Sequence, residues 1–182
     1  MLSPTLYTCD LCLRPFGLAD VTERYLGWLN DDVVNQFSRR YGSHTSREEA
    51  EAYLGSLAAN EAILAIDHPA HGHVGNIKYG PVDTSGERCD ISILIGEKAV
   101  WGKGVGRAAV YGVSGYLFND LKLNRVDAGS MNPAFIRAVQ SIGWQIEGVL
   151  RQGVKINGHF HDWTLMAQLR EEYDPTLEVH IK

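Results

Sequence analysis

Cysteine is scarce, and what there is does little. Three cysteines in 182 residues cannot staple a fold. Cys9 and Cys12 are spaced C-x-x-C, but no second pair exists to complete a zinc site. Both fall in a strand-like run, where a spacing of three sends them to opposite faces, so they read as structural thiols. Long apolar runs are missing too: none approaches the ~20 residues of a membrane span. Met1-Leu2-Ser3-Pro4-Thr5 has neither the basic stretch nor the apolar core of a secretory signal, so a cytoplasmic location is expected. Positive charge is in deficit, with 17 Lys and Arg against 22 Asp and Glu, a net charge of -5. That balance argues against nucleic acid or an anionic membrane as partner. There is no internal repeat, no low-complexity segment and no linker.

Apolar residues make up 45% of the chain, enough at this length for one well-buried core. The division expected is a single domain over 1–170 and a polar tail over 171–182. Alternation at Leu6 to Leu13 predicts a first strand and apolar spacing at Leu18 to Leu29 a helix. Ser46-Arg47-Glu48-Glu49 is a capping box that opens a second helix. Strands follow at Ala62–Asp67, Val74–Tyr79 and Cys89–Ile95, a helix at Ala108–Leu121 and a strand at Asn124–Gly129. Asn132-Pro133 starts a further helix that stops at Gly143. The last two strands, 144–156 and 159–169, meet at Asn157-Gly158, a strong hairpin signal. His68, His71 and His73 lie close in sequence, but Asp67 is the one carboxylate beside them and Pro69 and Gly72 mark a turn, so no metal is expected.

The stretch with the most chemical content is Trp101-Gly102-Lys103-Gly104-Val105-Gly106-Arg107, between a strand and a helix. Alternating glycines let the backbone turn sharply and approach a ligand with no Cβ in the way. The helix aims its free N–H groups and positive dipole end into that turn, a site suited to phosphate or pyrophosphate. It is not a P-loop, because Lys103 is followed by Gly104 where Ser or Thr is required. Nor is it the dinucleotide fingerprint, because Arg107 stands in place of the third glycine.

With the second motif, Asn132 followed by Gly143-Trp144 and Glu147-Gly148-Val149-Leu150-Arg151, the loop Trp101 to Gly104 resembles the GNAT acetyltransferases. The branch it is most similar to includes the ribosomal-protein N-terminal acetyltransferases, and the resemblance runs from about Leu13 to Leu169. It implies an α/β (α+β) fold: a mostly antiparallel, mixed, seven-stranded sheet with about four helices, its splayed central strands holding acetyl-CoA. It further implies that the amides of Lys103, Gly104, Val105, Gly106 and Arg107 hold the pyrophosphate of acetyl-CoA. Pantetheine would then lie against Leu94, Ile95 and Gly96, with Asn132 touching the cofactor from the next helix. No metal is implied. Many members carry a Tyr seven residues after the helix-opening Asn to protonate the departing thiolate. Here that position is Val139, leaving water, Ser130 or an unprotonated leaving group.

Acetyl transfer to an amine needs a base, because a free alkyl ammonium has a pKa of about 10. Three residues are candidates: Asp127, five before Asn132, which the resemblance matches to a catalytic Glu of some protein N-acetyltransferases; Asp90, on a strand face with Ser92; and His44, on a polar, aromatic loop. Taken alone, each carboxylate reads first as a surface or ion-paired group. Two further segments, around Tyr25 to Asn35 and His73 to Pro81, resemble members that acetylate amino sugars, often nucleotide-linked. Arg39, Arg40 and Lys78 would then meet acceptor phosphates, with Tyr41 or Phe37 stacking on a base or sugar. The expected partner is a small-molecule amine, with a homodimer admitted. An N-terminal peptide acetyltransferase and a non-catalytic acyl-CoA-binding module stay open beside the amino-sugar enzyme.

Overall fold

The computed structural model describes residues 3–181. Its centre is one eight-stranded sheet in the order β1-β2-β3-β4-β5-β6-β8-β7. The strands are β1 (Leu6–Thr8), β2 (Leu11–Pro15), β3 (Ala62–His68), β4 (Gly72–Tyr79), β5 (Arg88–Ile95), β6 (Arg125–Ser130), β7 (Gln145–Ile156) and β8 (His159–Leu169). All neighbours run antiparallel except β5 and β6, which are parallel. Five α-helices flank it: α1 (Glu23–Leu29), α2 (Asp32–Asn35), α3 (Arg47–Gly55), α4 (Val105–Asn119) and α5 (Pro133–Gln140).

The single strand expected over Leu6 to Leu13 is in fact a hairpin, which accounts for the eighth strand. Cys9 and Asp10 turn it with φ of 49° and 66°, the left-handed geometry of a two-residue turn. No Gly or Asn marks that turn. At the other hairpin Asn157 and Gly158 take φ of 47° and 79°, as their residue types foretell. The helix expected from Leu18 begins later: Leu18–Asp20 is a 3-10 turn, and Thr22 caps α1 by accepting from the Tyr25 N–H. Asp31 caps the short, unexpected α2 through Val33 and Val34. Buried Asn35 fixes the α1–α2 corner, its Nδ2 donating to the Trp28, Leu29 and Asp31 carbonyls at 2.8, 3.1 and 2.9 Å. The capping box of α3 forms as read, Ser46 and Glu49 each satisfying the other's N–H.

Strand alternation assigns the two faces. Ile91 on β5 and Val126 and Ala128 on β6 are buried with Val105, Ala109, Val113 and Leu117 of α4 and Val139 of α5. On the opposite face Leu94 packs against Val21, Tyr25, Leu26, Trp28, Leu29 and Ala50, a second cluster under α1 and α3. Asp90 and Ser92 of β5, and Asp127 and Gly129 of β6, share that second face by the period of two.

Residues 173–181, read as polar tail, lie along α4. Val179 is buried, Leu177 and Ile181 pack on the core, and the Tyr173 and Tyr111 rings stack with centroids 5.1 Å apart. The Tyr111 hydroxyl donates to the Asp174 carbonyl at 3.0 Å.

Gly96, just past β5, is overlain by the Trp28 indole with no room for a methyl group. Gly96→Ala is expected to lower stability by about 1–3 kcal/mol through overpacking. Gly27→Ala, in α1 with nothing within 4 Å of the new methyl, is expected to raise it by about 0.5–1 kcal/mol. Urea denaturation of the two variants checks both signs.

Candidate active site

The parallel pair β5–β6 is short. Its register covers Arg88↔Arg125, Cys89↔Val126 and Asp90↔Asp127 and then stops. Beyond Asp90 the strands part, while β5 stays bonded on its other side to β4 as far as Ile95. The edge of β5 from Ile91 to Ile95 that faces β6 therefore carries main-chain N–H and C=O groups with no strand partner among the described residues. One of them is taken: the Trp101 indole N–H donates to the Ile95 carbonyl at 2.8 Å. That contact ties the glycine loop to the strand it follows, a role for Trp101 that the sequence alone does not disclose.

The loop enters α4 through left-handed glycines, Gly102 at φ 73° and Gly104 at φ 89°. Gly104 is the N-cap and no side chain caps this end. The first helical bond is Ala108 N–H to the Gly104 carbonyl at 2.9 Å. The N–H groups of Gly104, Val105, Gly106 and Arg107 thus have no main-chain acceptor among the described residues. A pyrophosphate fits such a cradle. The Arg107 guanidinium stays beside the loop, its Nη2 3.6 Å from where a Cβ on Gly104 would sit, and donates to the His180 carbonyl at 3.1 Å. The same carbonyl lies 2.7 Å from where a Cβ on Gly104 would sit. Lys103 is half-buried in the loop. Asn132, at the open end of β6, uses its Oδ1 to cap α5 through Ala134 and Phe135 at 2.9 and 3.4 Å.

At the closed end of the parting strands stand Asp90 and Asp127, directly paired in register. Asp127 is held by two guanidiniums, Arg125 at 3.0 Å and Arg88 at 3.1 Å, and Arg125 also grips Glu147 with two bonds of 2.6 Å. Asp90 has no such clamp. Although the residue reaches solvent, burial of its carboxyl and then the charge of Asp127 push its pKa up to about 6, against the opposing pull of Lys78 and Arg88. Of the two carboxylates, Asp90 is therefore the one poised to exchange a proton near neutrality.

His44 is not brought to these carboxylates. It lines a cavity of about 260 Å³ with Tyr25 and Leu29 of α1, Arg40, and Tyr53 of α3. The Tyr53 ring lies beneath two cations, Arg40 at 5.9 Å and Lys78 at 5.6 Å from its centroid. Lys78 also pairs with Glu61 at 2.6 Å and stands opposite Ser92 in the β4–β5 register. Tyr41 lies half-buried in the same loop, and Arg39 stacks over Trp163 of β8 at 5.4 Å. Tyr53 and Trp163 escape the sequence reading because each presents as one more apolar position of its element.

The three histidines do not converge on one point. The His68 and His71 rings are 5.0 Å apart. His73 instead points into the aromatic cluster of Phe16, Tyr25 and Trp28, where burial lowers its pKa and favours the neutral ring. Val139 of α5 is fully buried and carries no proton to give.

Residues 10–145 match the acetyltransferase (GNAT) domain model. The chain belongs to the GNAT acetyltransferases. Over 176 residues this enzyme is 31% identical to the uncharacterized N-acetyltransferase p20 of Bacillus licheniformis, covering 93% of this chain and 98% of that protein. It is 27% identical over 146 residues to YdaF of Bacillus subtilis, provisionally named a ribosomal N-acetyltransferase, covering 79% and 70%. An alignment with YjcK of the same organism, named a probable N-acetyltransferase, is 40% identical over 78 residues and spans 43% of that protein. In three dimensions the enzyme superposes on the Vibrio cholerae spermidine N-acetyltransferase, solved with CoA and spermine, at a TM-score of 0.81. That match has 20% identity and covers 90% of this chain and 98% of the other. No helix among the described residues is long and apolar enough to cross a membrane.

Carboxyl-selective NMR titration checks the electrostatics. Asp90 is expected to titrate near pH 6. Asp127→Asn removes the like charge and frees Arg88, so the Asp90 midpoint should fall; an unchanged midpoint would show that burial alone sets it.

Proposed function

We propose that this enzyme acetylates the primary amine of a small acceptor that also carries an anionic group, an amino sugar and in particular a nucleotide-linked one. The observation that supports this most is a set of cations resting on aromatic faces, Arg40 and Lys78 on Tyr53 and Arg39 on Trp163, of which Lys78 also acts on the Asp90 carboxylate. Cations held in this way suit phosphate or carboxylate recognition, and the aromatic rings suit sugar or base stacking.

Acetyl-CoA supplies the acyl group as a thioester, and the chain's own groups do the rest. In this reading the loop amides of Gly104 to Arg107 and the charge of Lys103 hold the phosphates. The open edge of β5 at Ile95, flanked by Leu94 and Gly96, holds the pantetheine amides, and Nδ2 of Asn132 joins them. Asp90 takes the proton of the acceptor ammonium. The freed nitrogen bonds to the thioester carbon, an N–H of the open edge supports the carbonyl oxygen, and the carbon–sulfur bond breaks. Ser130, whose Oγ accepts from the Asn132 N–H at 3.0 Å, relays the second amine proton to the departing sulfur, taking it as it gives up its own, so that the products are the amide and the free thiol. Asp127 keeps the charge balance around Asp90, and His44 lines the acceptor cavity.

A peptide N-terminus is the second reading, supported by the YdaF likeness. Spermidine ranks below both, because Arg39, Arg40 and Lys78 repel a polycation.

Initial rates with nucleotide-linked amino sugars, free amino sugars, N-terminal peptides and spermidine separate these acceptors. The first class is expected to give the highest kcat/KM, and turnover of peptides alone would overturn the ranking. With the best acceptor, kcat/KM should rise with pH along a limb centred near pH 6, because the ionised form of Asp90 is the active one. Asp90→Asn should remove that limb. Gly104→Ala forces a left-handed Cβ toward the His180 carbonyl and should weaken acetyl-CoA binding about tenfold by calorimetry.

A further inference from the structure

We propose that Trp163 is a positioning residue for the acceptor, acting through Arg39. The inference rests on the reading above that the loop between α2 and α3 meets the acceptor.

Trp163 is the side chain that the fold makes room for at the mouth of the parted strands. On β6, two residues past Asp127 and on the same face, stands Gly129, a separation of about 7 Å along the strand. The Trp163 indole lies directly on Gly129, in space that any Cβ would fill. Gly153 of β7 gives way beside it: a Cβ there would sit 3.1 Å from that of Trp163 and 2.8 Å from that of Leu150. The Asp162 carboxylate accepts from the Gln152 N–H at 2.9 Å and fixes the strand pair at this point. The indole is thus held from below and from the side.

Its remaining side receives the Arg39 guanidinium, 5.4 Å above the ring. The loop that carries Arg39 is pinned at its return, where Asn30 Oδ1 accepts from the Thr45 N–H at 2.7 Å and Nδ2 donates to the Thr45 carbonyl at 3.0 Å. Gly42 N–H reaches Asp32 at 3.3 Å. The outer arc meets the far half of the sheet through Arg39 on Trp163. A guanidinium stacked on an aromatic plane keeps its N–H groups at the ring's rim, free to bind an anion in the plane of the fork. Trp163 therefore sets where Arg39 stands relative to Asp90.

The test is a double-mutant cycle in the full-length enzyme, with acceptor KM, kcat and acetyl-CoA Kd measured for each variant, using whichever amine the wild type turns over best. Trp163→Ala should raise acceptor KM about tenfold, change kcat far less and leave acetyl-CoA Kd unchanged. Trp163→Phe, which keeps an aromatic face, should recover most of the loss. Gly129→Ala, which displaces the indole without removing it, should reproduce the Trp163→Ala effect. Arg39→Ala should cost as much as Trp163→Ala, and the pair together no more than either alone. Unchanged acceptor KM in Trp163→Ala, or fully additive losses in the double variant, overturns the proposal. If Trp163→Ala does not fold, Gly129→Ala combined with Arg39→Ala decides the same question. Non-additive KM losses with a neutral or peptide acceptor would uphold the positioning role and remove the anionic-acceptor reading, so the two fail separately.

Discussion

Everything in this molecule turns on two parallel strands that pair for three residues and then separate. Backbone amides and carbonyls are costly to leave unsatisfied in a protein interior, so a sheet that opens at its centre must supply the exposed edge with partners or with water. Here the opening is wedged by packing on both sides. Ile91, Ile93 and Ile95 are committed to α4, Leu94 to α1, and Val126 and Ala128 to the core. None of these strands can swing across to close the gap without pulling apolar side chains out of their clusters. The crevice is therefore a property of the core, and an amide-bearing chain such as pantetheine is a natural complement to its edge.

Charge at the apex follows from the same geometry. Register forces Asp90 and Asp127 side by side, and two like charges this close are tolerated because Arg88 and Arg125 neutralise one of them. The clamp is asymmetric. It leaves Asp90 as the carboxylate that feels both burial and its neighbour's charge. Two residues of identical type are thereby set apart by burial and by the placement of two arginines.

Much of this was legible in the sequence where the signal was local. The Ser46–Glu49 capping box, the Asn157-Gly158 hairpin, the Asn132-Pro133 helix start and the glycine loop each depend on residues a few positions apart, and each stands where the spacing puts it. The Cys9-Asp10 hairpin was not legible, because its turn carries no glycine, Cys at its first position is no turn former, and the apolar alternation runs straight through it. Nor was α2, four residues long and announced by Asp31 alone. The site's wider architecture was hidden for a different reason. Tyr53 beneath Arg40 and Lys78, and Trp163 beneath Arg39, are contacts between segments far apart in the chain, invisible to any local pattern. The packed segment 173–181 did leave a trace: Leu177, Val179 and Ile181 alternate as a half-buried extended chain should, within a stretch whose polarity otherwise suggests solvent.

That last segment has a bearing on how the protein is made. Leu177, Val179 and Ile181 are synthesised after every residue they pack against, so the flank of α4 that they cover stays bare while the rest of the domain emerges from the ribosome. The helix that opens at the glycine loop thus gains its cover on this flank only when the final segment is in place. A released chain ending before Tyr173 would keep every strand and the loop sequence, yet leave that flank of α4 without its cover.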